Sequence, residues 1–163
     1  MKQEELTKLM LDLKDKGLTV AFAESISGGM LASEFVKATG SSDVFMGSIV
    51  AYQPEVKMKL LGVKQETLDL YTAESQQVTN EMVMGLKKQL DASVSVATTG
   101  LANEGASETP QKPVGTMFVS ILYDGKAEEF REVFEGEPDK VRQQLVDYVF
   151  QKLRGMLDQH YVR

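Results

Sequence analysis

At 163 residues and 42% hydrophobic content, the chain is sized for one domain with a real core, and it holds no run of about 18 apolar residues that could span a membrane. It has no cysteine and a single histidine, His160, which excludes disulfides, thiol nucleophiles and metal centres built on several histidines, and leaves a Ser-His-Asp triad without a well-placed base. The net charge of −6 argues against nucleic acid as the main partner, and the charged stretch Met1 to Leu13 is not a secretory signal, so a cytoplasmic protein is expected.

Leu6, Leu9, Met10 and Leu13 recur at helical spacing and predict a helix over about 3–16, ended by Gly17. Leu18 to Ala23 reads as a buried strand. Glu24-Ser25-Ile26-Ser27-Gly28-Gly29 follows, and then a helix to about Lys37. Residues 39–42 read as a loop and Val44 to Tyr52 as a second strand. Pro54 suits the first position of a helix over 54–61, stopped by Gly62. A longer helix covers about 75–90, with Val78, Met82 and Leu86 on one face. Val94, Val96 and Thr98 alternate as a strand, and Gly100 to Pro113 is a polar loop. Val114 to Leu122 is a strand, and Asp124-Gly125 turns it into another over 126–134. Val141, Leu145, Val149, Leu153 and Met156 mark a long final helix. Strands alternating with helices, plus one hairpin, predict a single-domain α/β fold: a three-layer α/β/α sandwich with a mixed central sheet over residues 1–163.

Four segments can carry chemistry. In open α/β sheets ligands gather beyond the carboxyl ends of the strands. Ser25 and Ser27 lie at such an end, Gly28 and Gly29 permit close backbone approach, and the next helix offers its N-terminal N–H groups to a phosphate or an oxyanion. The same residues also read as a serine-capped helix after a tight turn. The segment is neither a Walker loop nor a dinucleotide fingerprint. Tyr52 lies at a strand end, and Lys57 falls in the first turn of the following helix. There the dipole disfavours an ammonium, as a lysine base requires, although taken alone Lys57 reads first as a solvated surface lysine. Thr99 and Gly100 open the long loop that also holds Asn103 and Glu104; it reads as a functional loop or as plain polar surface. Arg142, near the start of the last helix, can fork onto a phosphate or simply be solvated.

Together these segments resemble the CinA C-terminal domain family over nearly the whole chain, from about Glu5 to Leu157. The family's Ala-Glu-Ser-Cys-Thr-Gly-Gly stands here as residues 23–29, its Tyr-Ser-Asn-Glu-Ala-Lys as residues 52–57, and its Lys-Pro-Val-Gly-Thr as residues 112–116. Leu61-Gly62-Val63 and Gly40-Ser41-Ser42 match as well. The resemblance implies an amidohydrolase that converts nicotinamide mononucleotide to nicotinic acid mononucleotide and ammonia, with no metal and no cofactor, and that forms a homo-oligomer. It implies Ser25 as nucleophile, Lys57 as the base that takes its proton, and Tyr52 as part of the polar network around them. Ser27, Gly28, Gly29, Thr99, Gly100 and Arg142 would bind substrate. The chain departs from the family pattern at Ile26, Ser27, Gln53, Pro54 and Asn103-Glu104. The last pair motivates an alternative: a nucleotide-binding or regulatory module without turnover.

Overall fold

A computed structural model describes residues 1–161; Val162 and Arg163, the end of the expected 1–163 domain, lie outside the described residues. Helix α1 (Gln3–Asp15) buries Leu6, Leu9, Met10 and Leu13, the four residues at helical spacing. Strand β1 (Val20–Glu24) is buried along its whole length. Its alternation explains why: Val20 and Phe22 enter one hydrophobic cluster, while Ala21 and Ala23 enter another on the opposite side. Two short helices follow, α2 (Met30–Phe35) and α3 (Ser41–Val44), then β2 (Phe45–Val50). Phe22, Phe35 and Phe45 meet with ring centroids 5.0–5.2 Å apart and fix α2 against the sheet.

Helix α4 (Pro54–Leu61) has the expected bounds and ends at Gly62. Helix α5 (Gln65–Tyr71) comes next, and α6 (Gln76–Leu90) starts on Ser75, whose Oγ accepts from the Val78 N–H. The remaining elements are β3 (Val94–Gly100), β4 (Thr116–Tyr123), β5 (Lys126–Val133) and α7 (Pro138–His160). Asp124 and Gly125 both take positive φ, 48° and 72°, as a two-residue hairpin turn demands.

The strand order is β2-β1-β3-β4-β5. The first three strands are parallel and the last two antiparallel, so the sheet is mixed as expected. One cluster joins the sheet to α1, α2 and α7; the other joins it to α4, α5 and α6. These are the three layers. The second face is built from small residues, Ala21, Ala23 and Ala97, which lets α6 lie close to the strands. Gly85 of α6 touches α4 directly: a Cβ there would sit 1.8 Å from the Leu61 carbonyl oxygen. Among the described residues no helix is long and apolar enough to cross a membrane.

Three expectations need correction. Residues 39–42 were expected to be loop, but Ser41 and Ser42 belong to α3, a single turn whose only buried side chain is Val44. Helix α5 has no counterpart in the sequence reading, because it buries Leu68 alone and leaves Leu70 and Tyr71 exposed, so it has no apolar stripe. The helix after Gly29 stops at Phe35 rather than at about Lys37.

Candidate functional site

Strand β1 is central in the parallel part of the sheet, with β2 on one side and β3 on the other. The chain leaves β1 toward β2 and later returns to β3 across it, so the carboxyl ends of β1 and β3 flank a topological switch point. Ser25 lies there. Its N–H donates to the Thr98 carbonyl at 3.2 Å, and next to it the Ala51 N–H donates to the Glu24 carbonyl at 2.8 Å. Both neighbouring strands therefore hold the backbone of the candidate nucleophile. Ser25 is 8% exposed, and none of the hydrogen bonds among the described residues involves its Oγ.

The turn after Ser25 is organised by Glu24, which is fully buried. Its Oε2 accepts from the Ser27 hydroxyl at 2.8 Å and from the Gly29 and Leu31 N–H groups at 3.0 Å. Its Oε1 accepts from the Ala32 N–H at 3.0 Å and the Ser48 hydroxyl at 2.8 Å. The Met30 N–H goes to the Ser27 carbonyl. All four orphan donors of α2 are thus taken from within. This corrects the expectation that the helix start offers itself to a ligand, because the chain's own carboxylate fills it. Ser27 is part of that clamp, its hydroxyl also 3.3 Å from Thr98 Oγ1. Gly28 and Gly29 take φ of 58° and 98°, two successive left-handed residues that bring the Gly29 N–H onto Glu24. The Gly28 N–H closes the turn onto the Ser25 carbonyl. The donors of this turn without an acceptor among the described residues are the Ile26 and Ser27 N–H groups.

Lys57 is 1% exposed, so the solvated alternative is corrected: this lysine is buried. Its Nζ donates to the Tyr52 carbonyl oxygen at 2.7 Å. Burial pushes its amine down to about 8, and the Glu74 carboxylate opposes this in part. Desolvation is the largest cause of the shift, where the sequence pointed to the helix dipole. The Tyr52 side chain is 56% exposed, so this residue holds Lys57 through its backbone while its ring borders solvent. Ser25 and Lys57 make no direct hydrogen bond to each other in this structure. They are joined through adjacent strand-end residues, Ala51 beside Glu24 and Tyr52 beneath Lys57.

A cleft of about 100 Å³ opens beside the turn, lined by Ile26, Tyr52, Glu74 and the loop after β3, including Asn103 and Glu104. Larger hollows exist elsewhere; one of about 350 Å³ between α1 and α7 is lined by Lys8, Asp12 and Arg154 and includes none of the strand-end residues. The cleft loop is fastened by Lys112, whose Nζ donates to Thr72 Oγ1 and Ser107 Oγ at 2.9 Å and to the Glu74 carbonyl at 3.0 Å. Ser107 in turn donates to Glu74 Oε2 at 2.6 Å.

The other expected binding residues lie as follows. Thr99 is fully buried and its Oγ1 pairs with Thr79 Oγ1 at 2.8 Å, so its hydroxyl is turned into the fold. Gly100 lines the cleft, and its lack of a side chain is required by packing, since a Cβ would fall 2.2 Å from Met117 Sδ. Arg142 reaches the nucleophile turn: its Nε donates to the Ile26 carbonyl at 3.1 Å and its Nη1 to Asp139 at 2.9 Å. Sequence reasoning missed Glu74 and the fastening role of Lys112. Lys112 stood inside a matched motif, whereas Glu74 carried no signal at all.

The pattern of the CinA C-terminal domain matches residues 3–157. The chain belongs to the CinA C-terminal domain family. A CinA-like protein of Thermotoga neapolitana is 40% identical over 158 residues, 96% of this chain and 38% of that protein. The chain thus spans a little over a third of the length of that curated CinA relative. Among solved structures, a competence-damaged protein (CinA) superfamily protein from Klebsiella pneumoniae is similar with a TM-score of 0.89 and 27% identity, covering 99% of this chain and 100% of that one. A CinA superfamily protein from Escherichia coli gives 0.90 and 29%, covering 95% and 90%. The mixed five-stranded sheet with helices on both sides is therefore the CinA superfamily fold.

Proposed function

We propose that this CinA-family chain is an amidohydrolase that releases ammonia from nicotinamide mononucleotide, with Ser25 as nucleophile and Lys57 as its base. The observation that carries this reading is the buried amine of Lys57 at the same sheet mouth as a serine hydroxyl with no internal partner. An unperturbed lysine is neutral in fewer than about 1 in 1,000 molecules at pH 7, whereas an amine near 8 is neutral in roughly a tenth of them. The neutral amine donates one N–H to the Tyr52 carbonyl, which leaves its lone pair free for the serine proton.

In this mechanism Ser25 Oγ attacks the carboxamide carbon as Lys57 takes its proton. The carbonyl oxygen becomes an oxyanion facing the unpartnered Ile26 and Ser27 N–H groups. The C–N bond then breaks, and the proton on Lys57 leaves with the nitrogen as ammonia. Water, deprotonated by Lys57, hydrolyses the ester and restores Ser25. The Arg142 contact to the Ile26 carbonyl fixes the peptide that presents these donors. Catalytic hydrogen bonds often tighten only with substrate bound, which suits a Ser25 hydroxyl unpaired in the free protein. Self-association belongs to the same proposal. It is supported by the edge strand β2, where Met46 and Val50 are exposed and no charged residue occurs between Phe45 and Gln53.

The test is ammonia release from nicotinamide mononucleotide by the wild type, Ser25→Ala and Lys57→Ala. Activity in the wild type that is lost in folded Ser25→Ala supports the proposal. No release by the wild type rejects it, and nucleotide affinity without turnover would assign a binding module instead.

A further inference from the structure

The cleft beside the nucleophile turn carries a charge pattern that nucleophilic attack does not need. Among the described residues its lining holds two carboxylates, Glu74 and Glu104, and Tyr52, but no lysine, arginine or histidine. Glu74 is fastened by one oxygen only, Oε2 to the Ser107 hydroxyl; Lys112 donates to its backbone carbonyl, and the Lys57 and Lys112 amines act on its carboxylate through space without a hydrogen bond. Glu74 Oε1 and the exposed carboxylate of Glu104 have no hydrogen-bond partner among the described residues. Two anionic groups are thus held at the cleft with acceptor capacity unspent.

Size narrows what can meet them. The cleft holds about 100 Å³. A cavity of about 150 Å³ takes benzene, whereas sites that enclose a whole drug-sized ligand start near 300 Å³. The cleft is smaller than either, so it takes the edge of one ring at most, and a sugar phosphate remains outside. A nicotinamide joined to ribose through its ring nitrogen is a pyridinium, with a fixed positive charge spread over an aromatic ring. Free nicotinamide is neutral at pH 7, and so is the ring of a dihydronicotinamide. A pyridinium satisfies both features of the lining: the carboxylates pair with its charge, and the Tyr52 face attracts it as a cation.

Resting on the amidohydrolase reading, we infer that Glu74, Glu104 and Tyr52 are specificity-determining residues that select an N-substituted pyridinium carboxamide over a neutral ring amide. The same charge acts on the product. Hydrolysis places a new carboxylate beside the ring, and the acidic lining repels it, which favours release.

The probe pair is nicotinamide mononucleotide and its 1,4-dihydro form, which share amide, ribose and phosphate and differ in ring charge. The readout is the ratio of their kcat/KM values, normalised to the wild type. Both substrates use the same Lys57, so any effect of Glu74 on that amine cancels. Glu74→Gln and Glu104→Gln each reduce the preference for the cation roughly two- to fivefold, the range for partly exposed ion pairs, and the double variant reduces it further. Glu4→Gln, which removes the same charge from α1 on the other face of the sheet, leaves the ratio unchanged. An unchanged ratio in the double variant overturns the inference, as does an equal fall in Glu4→Gln. If the wild type releases ammonia from neither substrate, the amidohydrolase reading falls on its own. Titration with the 1-methylnicotinamide cation and with nicotinamide then decides the charge selection. Tighter binding of the cation that is lost in the double variant supports it, and equal binding overturns it.

Discussion

Replacing Glu24 by Gln changes one atom and tests how the nucleophile turn is held. The carboxylate takes three donors on Oε2 and two on Oε1, three of the five being backbone N–H groups. A glutamine does least harm with its NH₂ in the Oε1 place. The Ser48 hydroxyl can rotate there and accept, but the Ala32 N–H then faces another donor. One part-buried backbone donor left bare costs about 1–3 kcal/mol, and the three surviving bonds lose their charge assistance at about 1 kcal/mol more, so Glu24→Gln should cost about 2–4 kcal/mol. Glu24→Ala bares all three backbone donors and opens a hole, a loss of about 5 kcal/mol or more, comparable to the whole stability of many domains. Urea unfolding followed by circular dichroism reads the difference. With a slope of roughly 2 kcal/mol per molar, the glutamine variant's midpoint falls by about 1–2 M, and hydrogen exchange at the Ala32 amide accelerates. A loss within about 0.5 kcal/mol, or equal losses for the two variants, would refute the clamp and the counting behind it.

The remaining predictions concern Lys57 and its support. With the Lys57 amine near 8, ammonia release should rise with pH along a single limb and level off above it; a limb near 10 would remove the buried base. The linkage has a definite sign. The folded state holds the lysine proton less tightly than the unfolded state, so the cost of burying the ammonium is fully present below pH 8 and is relieved as pH rises from about 8 toward 10.5. Lys57→Met should therefore raise the thermal midpoint at pH 7 while abolishing activity, with the gain shrinking at pH 10. A midpoint lowered at pH 7 would contradict this. Gly85→Ala drives a Cβ to 1.8 Å from the Leu61 carbonyl oxygen, forces α4 off α6, and should cost about 3 kcal/mol by calorimetry. Because Leu61 shares α4 with Lys57, the surviving protein should also lose activity; an unchanged midpoint would show that the two helices yield more easily than their backbone contact implies.

Most of the fold was legible because its elements bury regular patterns. Leu6, Leu9, Met10 and Leu13 on α1, the stripe from Val141 to Met156 on α7 and the Asp124-Gly125 turn each bind a sequence signal to one geometry. Helices α3 and α5 were silent for the opposite reason: a four-residue turn and a helix burying only Leu68 are dictated by their neighbours rather than by their own periodicity. The site divides along the same line. Motif spacing found Ser25, Tyr52 and Lys57, but the burial of Lys57 and its nearness to the Glu74 charge arise only from tertiary packing. The glycines and serine after Ser25 looked like ligand contacts because a helix start with small residues suits an anion. In the folded protein that anion is Glu24, one residue before the nucleophile. Glu74 was invisible because a lone carboxylate between two helices has no pattern, and only tertiary structure brings it to the cleft.

The order of strands also bears on how a working molecule is gained. Ala23 pairs with Ile49 on one side and with Ala97 on the other, so the mouth of the sheet closes only after two crossovers have returned to β1. Helices re-form within microseconds, whereas distant parallel pairings are slow. A refolding sample can thus recover its helical spectrum while the serine still lacks one of its flanking strands, and turnover is the stricter witness that a molecule has reached its native arrangement.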